Sequence, residues 1–453
     1  MPGLKNKTRP TKISHMRTVL ILLISIFSLA GTAAAQSLSR AEAVTEALAA
    51  NPTVKLSLEQ VALLEGRILE ARADALPDIT WNTLASRFRD PSLLNSPGFD
   101  AFPPEFRDAL VPIPANVIAT FADVRQTLFS FKLGKALEAA KAARVAGDQD
   151  VERARQLTAL DAIRAYNQLL FAIEQLRVIQ TNVQSRQTHV DFARKRRAAG
   201  VATELEVLRA EVDLENARAE SRRAENEVAQ ARATLNTVMV RPTRAPLTPT
   251  DTLAVVPFEA EFEAAVQEAL TARPELQLLR TQERVRTLLI DVASGDAKPS
   301  IDFTGSYGLS VRRPRNLFDL DFSRWTATVN VAVPLFDGWR TKGRVAQARA
   351  DRNTVTEQIA ALESQVRLEV QTALDALALA NSTISAAELN VTQARRANEM
   401  TEANYKLGAA TQLDVVDALQ ALRQAEITRN LALYTHANAR ATLRFVMGRN
   451  PLD

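Results

Sequence analysis

The sequence contains no cysteine. That excludes a disulfide framework, a thiolate metal centre and an amino-terminal lipid anchor carried by a lipobox cysteine. Histidine is scarce: His15, His189 and His436 lie far apart, with no second ligand at metal spacing. Aromatic residues make up 5% of the chain against 46% hydrophobic residues overall. The apolar content is therefore largely alanine and aliphatic side chains, which suits closely packed helices better than a thick core. Beyond residue 35, no stretch reaches the roughly 18 consecutive apolar residues of a membrane-spanning helix. No nucleophile–base arrangement, glycine-rich phosphate loop or pair of catalytic carboxylates stands out. The sequence predicts neither an enzyme nor a cofactor, and His189 and His436 read as helix residues rather than metal ligands.

Proline is missing from two long stretches, residues 132–239 and 337–448. Each is broken near two thirds of its length, by Ala198-Ala199-Gly200-Val201-Ala202-Thr203 and by Lys406-Leu407-Gly408-Ala409-Ala410-Thr411. The flanking composition of Ala, Leu, Glu, Gln and Arg favours helix. Each stretch predicts a very long helix, a tight turn and an antiparallel return helix. At about 1.5 Å per residue the incoming helices run roughly 100 Å, longer than a single globular domain requires.

Residues 1–35 read as a secretory signal peptide. Lys5, Lys7, Arg9, Lys12 and Arg17 form a basic start, residues 19–30 an apolar run, and Ala33-Ala34-Ala35 a small-residue cleavage pattern. Met16 is an alternative start, and a short membrane anchor is the competing reading. Without this segment the formal charge falls from +4 to about −1, so the basic balance argues no nucleic-acid partner.

Ser39-Arg40-Ala41-Glu42 is a capping-box pattern that begins a helix through Leu48. Asn51-Pro52 reads as its stop. A second helix is predicted over 54–73, then a strand to about Phe88. At a shift of 222 the same order returns: Leu48 falls on Leu270, Pro52 on Pro274, Pro77 on Pro299 and Ile79 on Ile301. At 207–208, Leu128-Phe129 meets Leu335-Phe336, Gly200 meets Gly408 and Met239 meets Met447. Placed prolines and glycines of this kind indicate internal duplication. The boundaries read as 36–240 for the first repeat, 241–257 for a proline-bearing linker and 258–453 for the second.

The second copy alternates cleanly as strands. Ile301, Phe303, Tyr307, Leu309 and Val311 face one way, as do Trp325, Ala327, Val329, Val331 and Val333 in the next run. This is the period of a membrane-barrel strand, and equally of a half-buried soluble hairpin. The first copy is less regular: Arg87 shares the face of Ile79, Trp81 and Ala85, and Phe121, Val124 and Arg125 break the return strand. Residues 90–115, rich in proline, read as a long loop. Four strands cannot close a barrel, and open edges in lipid cost several kcal/mol per unpaired group, so cyclic self-association is implied.

These features together resemble the TolC-like outer-membrane efflux proteins, over essentially the whole chain after residue 35. The resemblance is carried by Leu38-Ser39-Arg40-Ala41-Glu42-Ala43 with Asn51-Pro52, by Leu76-Pro77, and by Val333-Pro334-Leu335-Phe336-Asp337-Gly338. The turns starting at Gly200-Val201-Ala202-Thr203 and at Tyr405-Lys406-Leu407-Gly408 add to it. It implies an α+β membrane protein of two tandem repeats, a homotrimer with a 12-stranded β-barrel in the outer-membrane lipid of a Gram-negative bacterium and an α-helical barrel in the periplasm. It further implies a passive exit duct for small molecules, reached through a periplasmic adaptor from an inner-membrane pump. Protein secretion by a type I system and, in another class, a soluble periplasmic coiled-coil scaffold are the alternatives.

The resemblance also supplies site residues. Asp414 and Asp417 match the acidic ring of the periplasmic aperture, Tyr405 a residue that holds it closed, and Gly200, Val201, Gly408 and Ala409 the adaptor-contact turns. Local chemistry offers a second role for several of them. Thr411-Gln412-Leu413-Asp414 is also a capping box, Gly200 and Gly408 suit helix C-termini, and Tyr405 suits ordinary helix packing. Glu206 and Arg209, at the first-copy positions, read as structural. Where other members carry an arginine in the second turn, this chain has Ala410, so that ionic latch is absent.

Overall fold

The computed structural model describes residues 36–110 and 115–452, so the signal-peptide reading of 1–35 lies outside the described residues. Chain order is β1 (Gln36–Leu38), α1 (Arg40–Ala50), α2 (Pro52–Ala73), β2 (Asp78–Phe88), α3 (Pro104–Leu110), β3 (Ala115–Ser130), α4 (Phe131–Ala198) and α5 (Glu204–Val238). Then come β4 (Leu247–Pro249), α6 (Phe262–Ala272), α7 (Pro274–Gly295), β5 (Ser300–Val311), β6 (Ser323–Ala332), α8 (Arg340–Lys406) and α9 (Gln412–Val446). Among the described residues no helix is long and apolar enough to cross a membrane.

The proline-free stretches fold as predicted, α4 with 68 residues and α8 with 67. Buried positions on α8 fall at Val366, Val370, Ala373, Leu377, Ala380, Ile384, Ala387 and Val391. Those steps alternate four and three, the 3.5-residue period that winds helices into a left-handed supercoil. Each long helix packs antiparallel on its return helix. Hydrogen bonds join the two hairpins along α4 and α9, from Arg164 Nη2 to Thr442 Oγ1 at 3.0 Å and from Asn167 Nδ2 to Asn438 Oδ1 at 2.9 Å.

The capping box at the start of α1 forms in full, the Ser39 hydroxyl receiving the Glu42 amide and the Glu42 carboxylate receiving the Ser39 amide. Asn51-Pro52 is more than a stop. Asn51 caps α2 by accepting from the Thr53 amide at 2.9 Å, and Pro52 is the first helical residue, so α2 starts two residues before the expected one. Proline suits that place because the amide it lacks has no helical partner there.

β2, β3, β5 and β6 form one antiparallel sheet in that order, with β2 and β6 at its edges. The register explains the irregular first copy. Val124 pairs with Ile79 and with Gly305, on the face of Phe303 and Tyr307, while Arg125 pairs with Asp78 and Thr304 on the other. Both therefore keep the alternation; Phe121 departs from it, as does Arg87, which stays on the face of Ile79 and Trp81. Phe121 lies on the polar face opposite Gly308, where an added Cβ would run first into the Thr120 carbonyl and then into the Phe121 ring at 2.6 Å and its Cα at 2.7 Å, so the close approach of β3 requires the glycine.

One face of the sheet is thus largely apolar across all four strands, interrupted by the hydrogen-bonded Thr83–Thr120 pair and, toward the loop end, by Arg87 opposite Asn116. Trp81, Ala122, Tyr307 and Trp325 form a single row, with Trp81 and Trp325 each 72% exposed. The opposite face carries Asn82, Asp123, Ser306 and Thr326, with the Asn82 amide donating to Asp123 at 2.8 Å. The proline-rich loop is not structureless, since it holds α3 and two short 3-10 turns.

Two apolar clusters sit where the short helices meet the long ones. The first gathers β1, α1 and β4 around Tyr166, Leu169 and Met239, and the second gathers α6 and the start of α7 around Val366, Leu443 and Met447. β1 pairs in parallel with β4, tying the residues before α1 to the segment after α5.

Candidate functional site at the helical tip

The two hairpin turns lie at the end of the helices remote from the sheet. Gly200 has φ +78° and Gly408 +76°, and nothing lies within 4 Å of a Cβ built on either. Glycine is present here for conformation and not for space. Both turns close with the same pair of backbone bonds: Val201 N to Arg196 O at 3.0 Å and Gly200 N to Arg197 O at 2.9 Å in one. In the other, Ala409 N reaches Asn404 O at 2.8 Å and Gly408 N reaches Tyr405 O at 3.1 Å. Such a Schellman closure satisfies the last helical carbonyls and leaves Val201 and Ala409 at the outermost point. Val201 is 62% exposed.

Asp414 is committed to its own helix. Its Oδ2 accepts from the Thr411 amide and hydroxyl, each at 2.7 Å, while the Thr411 hydroxyl accepts from the Asp414 amide at 3.3 Å. The Thr411 hydroxyl first, and its amide second, hold this carboxylate below the usual aspartate range. In the first copy the box is half formed: Thr203 accepts from the Glu206 amide at 3.3 Å, and no return bond is made by the Glu206 carboxylate. Asp417, one turn further on, is exposed and has no partner among the described residues.

Tyr405 is 5% exposed and packs with Val415 and Leu419, with Phe192 and Ala410 against them. The Phe192 ring meets it edge-on at 5.5 Å, His189 lies 6.3 Å away, and the Arg196 guanidinium lies 5.1 Å over its face. Tyr405 therefore stitches α8 to α4, across the two hairpins. Burial holds the His189 imidazole below its ordinary pKa, against the pull of Glu402. Sequence reasoning missed Phe192 and Arg196. Their spacing from His189, three and seven residues along one helix face, was the available signal.

No arginine latch is present in the second turn, and other contacts hold the hairpins together. Gln412 Nε2 donates to the Glu206 carbonyl at 3.3 Å, and Arg423 pairs with Glu220 at 2.5 Å. Within the first hairpin Arg194–Glu211 at 2.7 Å and Arg197–Glu204 at 3.2 Å bind α4 to α5. Between α5 and α9 lies an open cavity of about 830 Å³, lined by Leu205, Leu208, Val212, Leu413 and Val416 with Arg209 at its side. Leu205, Leu208 and Val212 are more than half exposed, an apolar stripe at helical spacing with no cover. No group of three or more metal-ligating side chains occurs among the described residues.

The chain is thus a four-stranded sheet with a bare, largely apolar face, continued by two helical hairpins built on helices of 68 and 67 residues. The chain belongs to the outer membrane efflux protein family, which it matches over residues 43–239 and 265–449. It is similar to the outer membrane protein OprJ of Pseudomonas aeruginosa, at 25% identity over 83% of this chain and 76% of that one. It is also similar to TolC of Salmonella enteritidis, at 23% over 96% and 87%. The alkaline protease secretion protein AprF of Pseudomonas aeruginosa is 24% identical over 72% of this chain and 68% of its own. Among solved structures, the CmeC outer membrane channel of Campylobacter jejuni superposes with a TM-score of 0.79 at 17% identity, over 91% and 87% of the two chains. The protein is accordingly an outer-membrane exit duct, and the soluble scaffold is set aside.

Proposed function

We propose that the protein is the passive outer-membrane component of a tripartite efflux system for small molecules. In this reading three copies close a 12-stranded barrel, their hairpins form one periplasmic tube, and an adaptor links the tip to an inner-membrane pump. The observation that carries it is the sheet, with two open edges at β2 and β6 and one largely apolar face. In lipid, such edges are satisfied only by β2 of one copy pairing with β6 of the next. The reading takes 36–240 and 258–453 as two repeats about a linker, 241–257.

At the tip, the Gly200-Val201 and Gly408-Ala409 turns and the apolar stripe beside them are the adaptor contact. Asp417 supplies the free carboxylate of the aperture, three copies facing one constriction. Asp414 contributes charge while holding its cap, and Tyr405 keeps the hairpins together in the closed state. The duct itself performs no chemistry. The mass of the detergent-purified protein together with its conductance in planar bilayers tests trimer and pore at once; a monomer without conductance sinks the reading. Aspartate-to-alanine change at 417 is expected to raise conductance and weaken block by multivalent cations, and at 414 to do so less.

The similarity to a protease secretion protein favours a second reading, export of a protein through the same duct. Sensitivity to small toxic compounds on deletion supports the first reading, and loss of a secreted protein supports the second.

A further inference from the structure

The connection between β5 and β6 carries an arginine run with no assigned work. Arg312, Arg313 and Arg315 are exposed and have no carboxylate partner among the described residues. On the same short connection Phe318 is 90% exposed and Leu320 70%. Two carboxylates, Asp319 and Asp321, lie on its returning half, and Asp319 is occupied in accepting from the Asp321 amide at 3.1 Å. Arg312 directly follows the last strand residue, Val311, beyond the Tyr307–Trp325 row of the apolar face. Aromatic rows of this kind mark the level where lipid meets water. The first-copy connection differs, for there Arg107 faces Asp100 at 3.6 Å, and Asp90 and Glu105 add negative charge.

We propose that the β5–β6 connection is a docking surface for the phosphorylated glycolipid of the outer leaflet. The arginines take its phosphate groups while Phe318 and Leu320 enter the acyl boundary. The inference rests on the barrel reading above, which puts the sheet in lipid with its helices on the periplasmic side. Two features select this occupant. Unpaired guanidinium groups are suited to phosphate, which they bind in a bidentate fork. Bare aromatic and aliphatic side chains beside them favour an amphiphile over a soluble anion, since a soluble anion leaves that apolar surface in water.

The test uses the full chain purified in detergent, with retained lipid read by native mass spectrometry. The probes are a bis-phosphorylated acyl glycolipid, the same glycolipid without phosphates, and phosphatidylglycerol. The wild type is expected to retain the phosphorylated glycolipid at least about tenfold better than either of the others. The combined R312Q/R313Q/R315Q variant should lose about a hundredfold of that retention, from roughly fivefold per arginine near a charged lipid surface. Phe318→Ser, which leaves every charge in place, should weaken it by a smaller factor. Equal retention of the three lipids, or unchanged retention by the triple variant, overturns the proposal. Conductance of the same preparations separates the two failures: normal pores without glycolipid sink this inference alone, while absent pores sink the barrel reading.

Discussion

Val240 and Gly448 occupy one place in the two halves, just past a buried methionine that ends a return helix. Met239 is 1% exposed and Met447 2%. Both turns close alike, Arg241 N to Asn236 O at 2.8 Å and Arg449 N to Arg444 O at 2.9 Å, and both residues have positive φ, +59° for Val240 and +77° for Gly448. The neighbours decide which residue each site accepts. A Cβ on Gly448 would lie 2.9 Å from the Ala272 carbonyl carbon and the Arg273 nitrogen, whereas Val240 is 52% exposed. The first half therefore tolerates a β-branched residue in the left-handed region at a strain of about 1–2 kcal/mol. The joint itself is also held differently. In the first half Asn51 donates to the Val238 carbonyl at 3.2 Å, while in the second Arg273 is buried and pairs with Glu369 at 2.5 Å. Backbone path is common to the halves; side-chain chemistry is not.

The largest effect is expected from making the second half copy the first. Gly448→Val adds left-handed strain to a backbone clash and should cost about 2–5 kcal/mol, whereas Val240→Gly should gain about 1 kcal/mol. Denaturant unfolding in detergent measures both, and equal costs at the two sites would break the comparison. A second test concerns Val329, which aligns with Ala122 at the shift of 207 and shares its face. If that face meets lipid, Val329→Arg destabilises the assembled protein by about 2–4 kcal/mol near mid-membrane, and Thr328→Arg on the opposite face by much less. Unfolding from bilayers is the measurement, and similar costs would remove the distinction between faces.

The smallest effect separates the two caps. Thr203→Ala and Thr411→Ala should each cost about 1 kcal/mol. Only the second cap includes a returning carboxylate, and its lowered pKa sets the sign. The contribution of Asp414 is present above its ordinary value of 3.8 and is lost as pH falls through the lowered value in the fold. Hydrogen exchange at the two turns, followed as pH falls, should show that loss at 411–415 alone. Thr411→Ala should abolish it.

Helices, turns and the duplicated order were legible because their signals are local: proline absence, glycine at a helix end, a serine or threonine three residues before a carboxylate. Pairing was not. Val124 and Arg125 looked irregular until Gly305 and Thr304 stood opposite them, because a strand's faces are defined by its partners. The helix α3 was hidden by surrounding prolines, although Pro104 occupies its first position, where proline is favoured. At the tip, Tyr405 was legible as a residue of interest, but its partners on α4 lie some two hundred residues earlier in the sequence. Asp414 was legible in sequence as the fourth residue of a capping box and Asp417 was not, and the bond pattern bears that difference out, with the first carboxylate engaged by Thr411.

The short ladder between Gln36–Leu38 and Leu247–Pro249 bears on the order of assembly. It is fastened by the Tyr166 hydroxyl, which donates to the Leu38 carbonyl at 2.8 Å, and by the Arg40 amide, which reaches the Asp251 carboxylate at 2.6 Å. A chain delivered from its amino end must hold that first strip unmatched until more than half of its length has crossed. The clasp thus shuts late, and any helper that shields exposed segments in transit has a defined interval in which residues 36–38 are open to it.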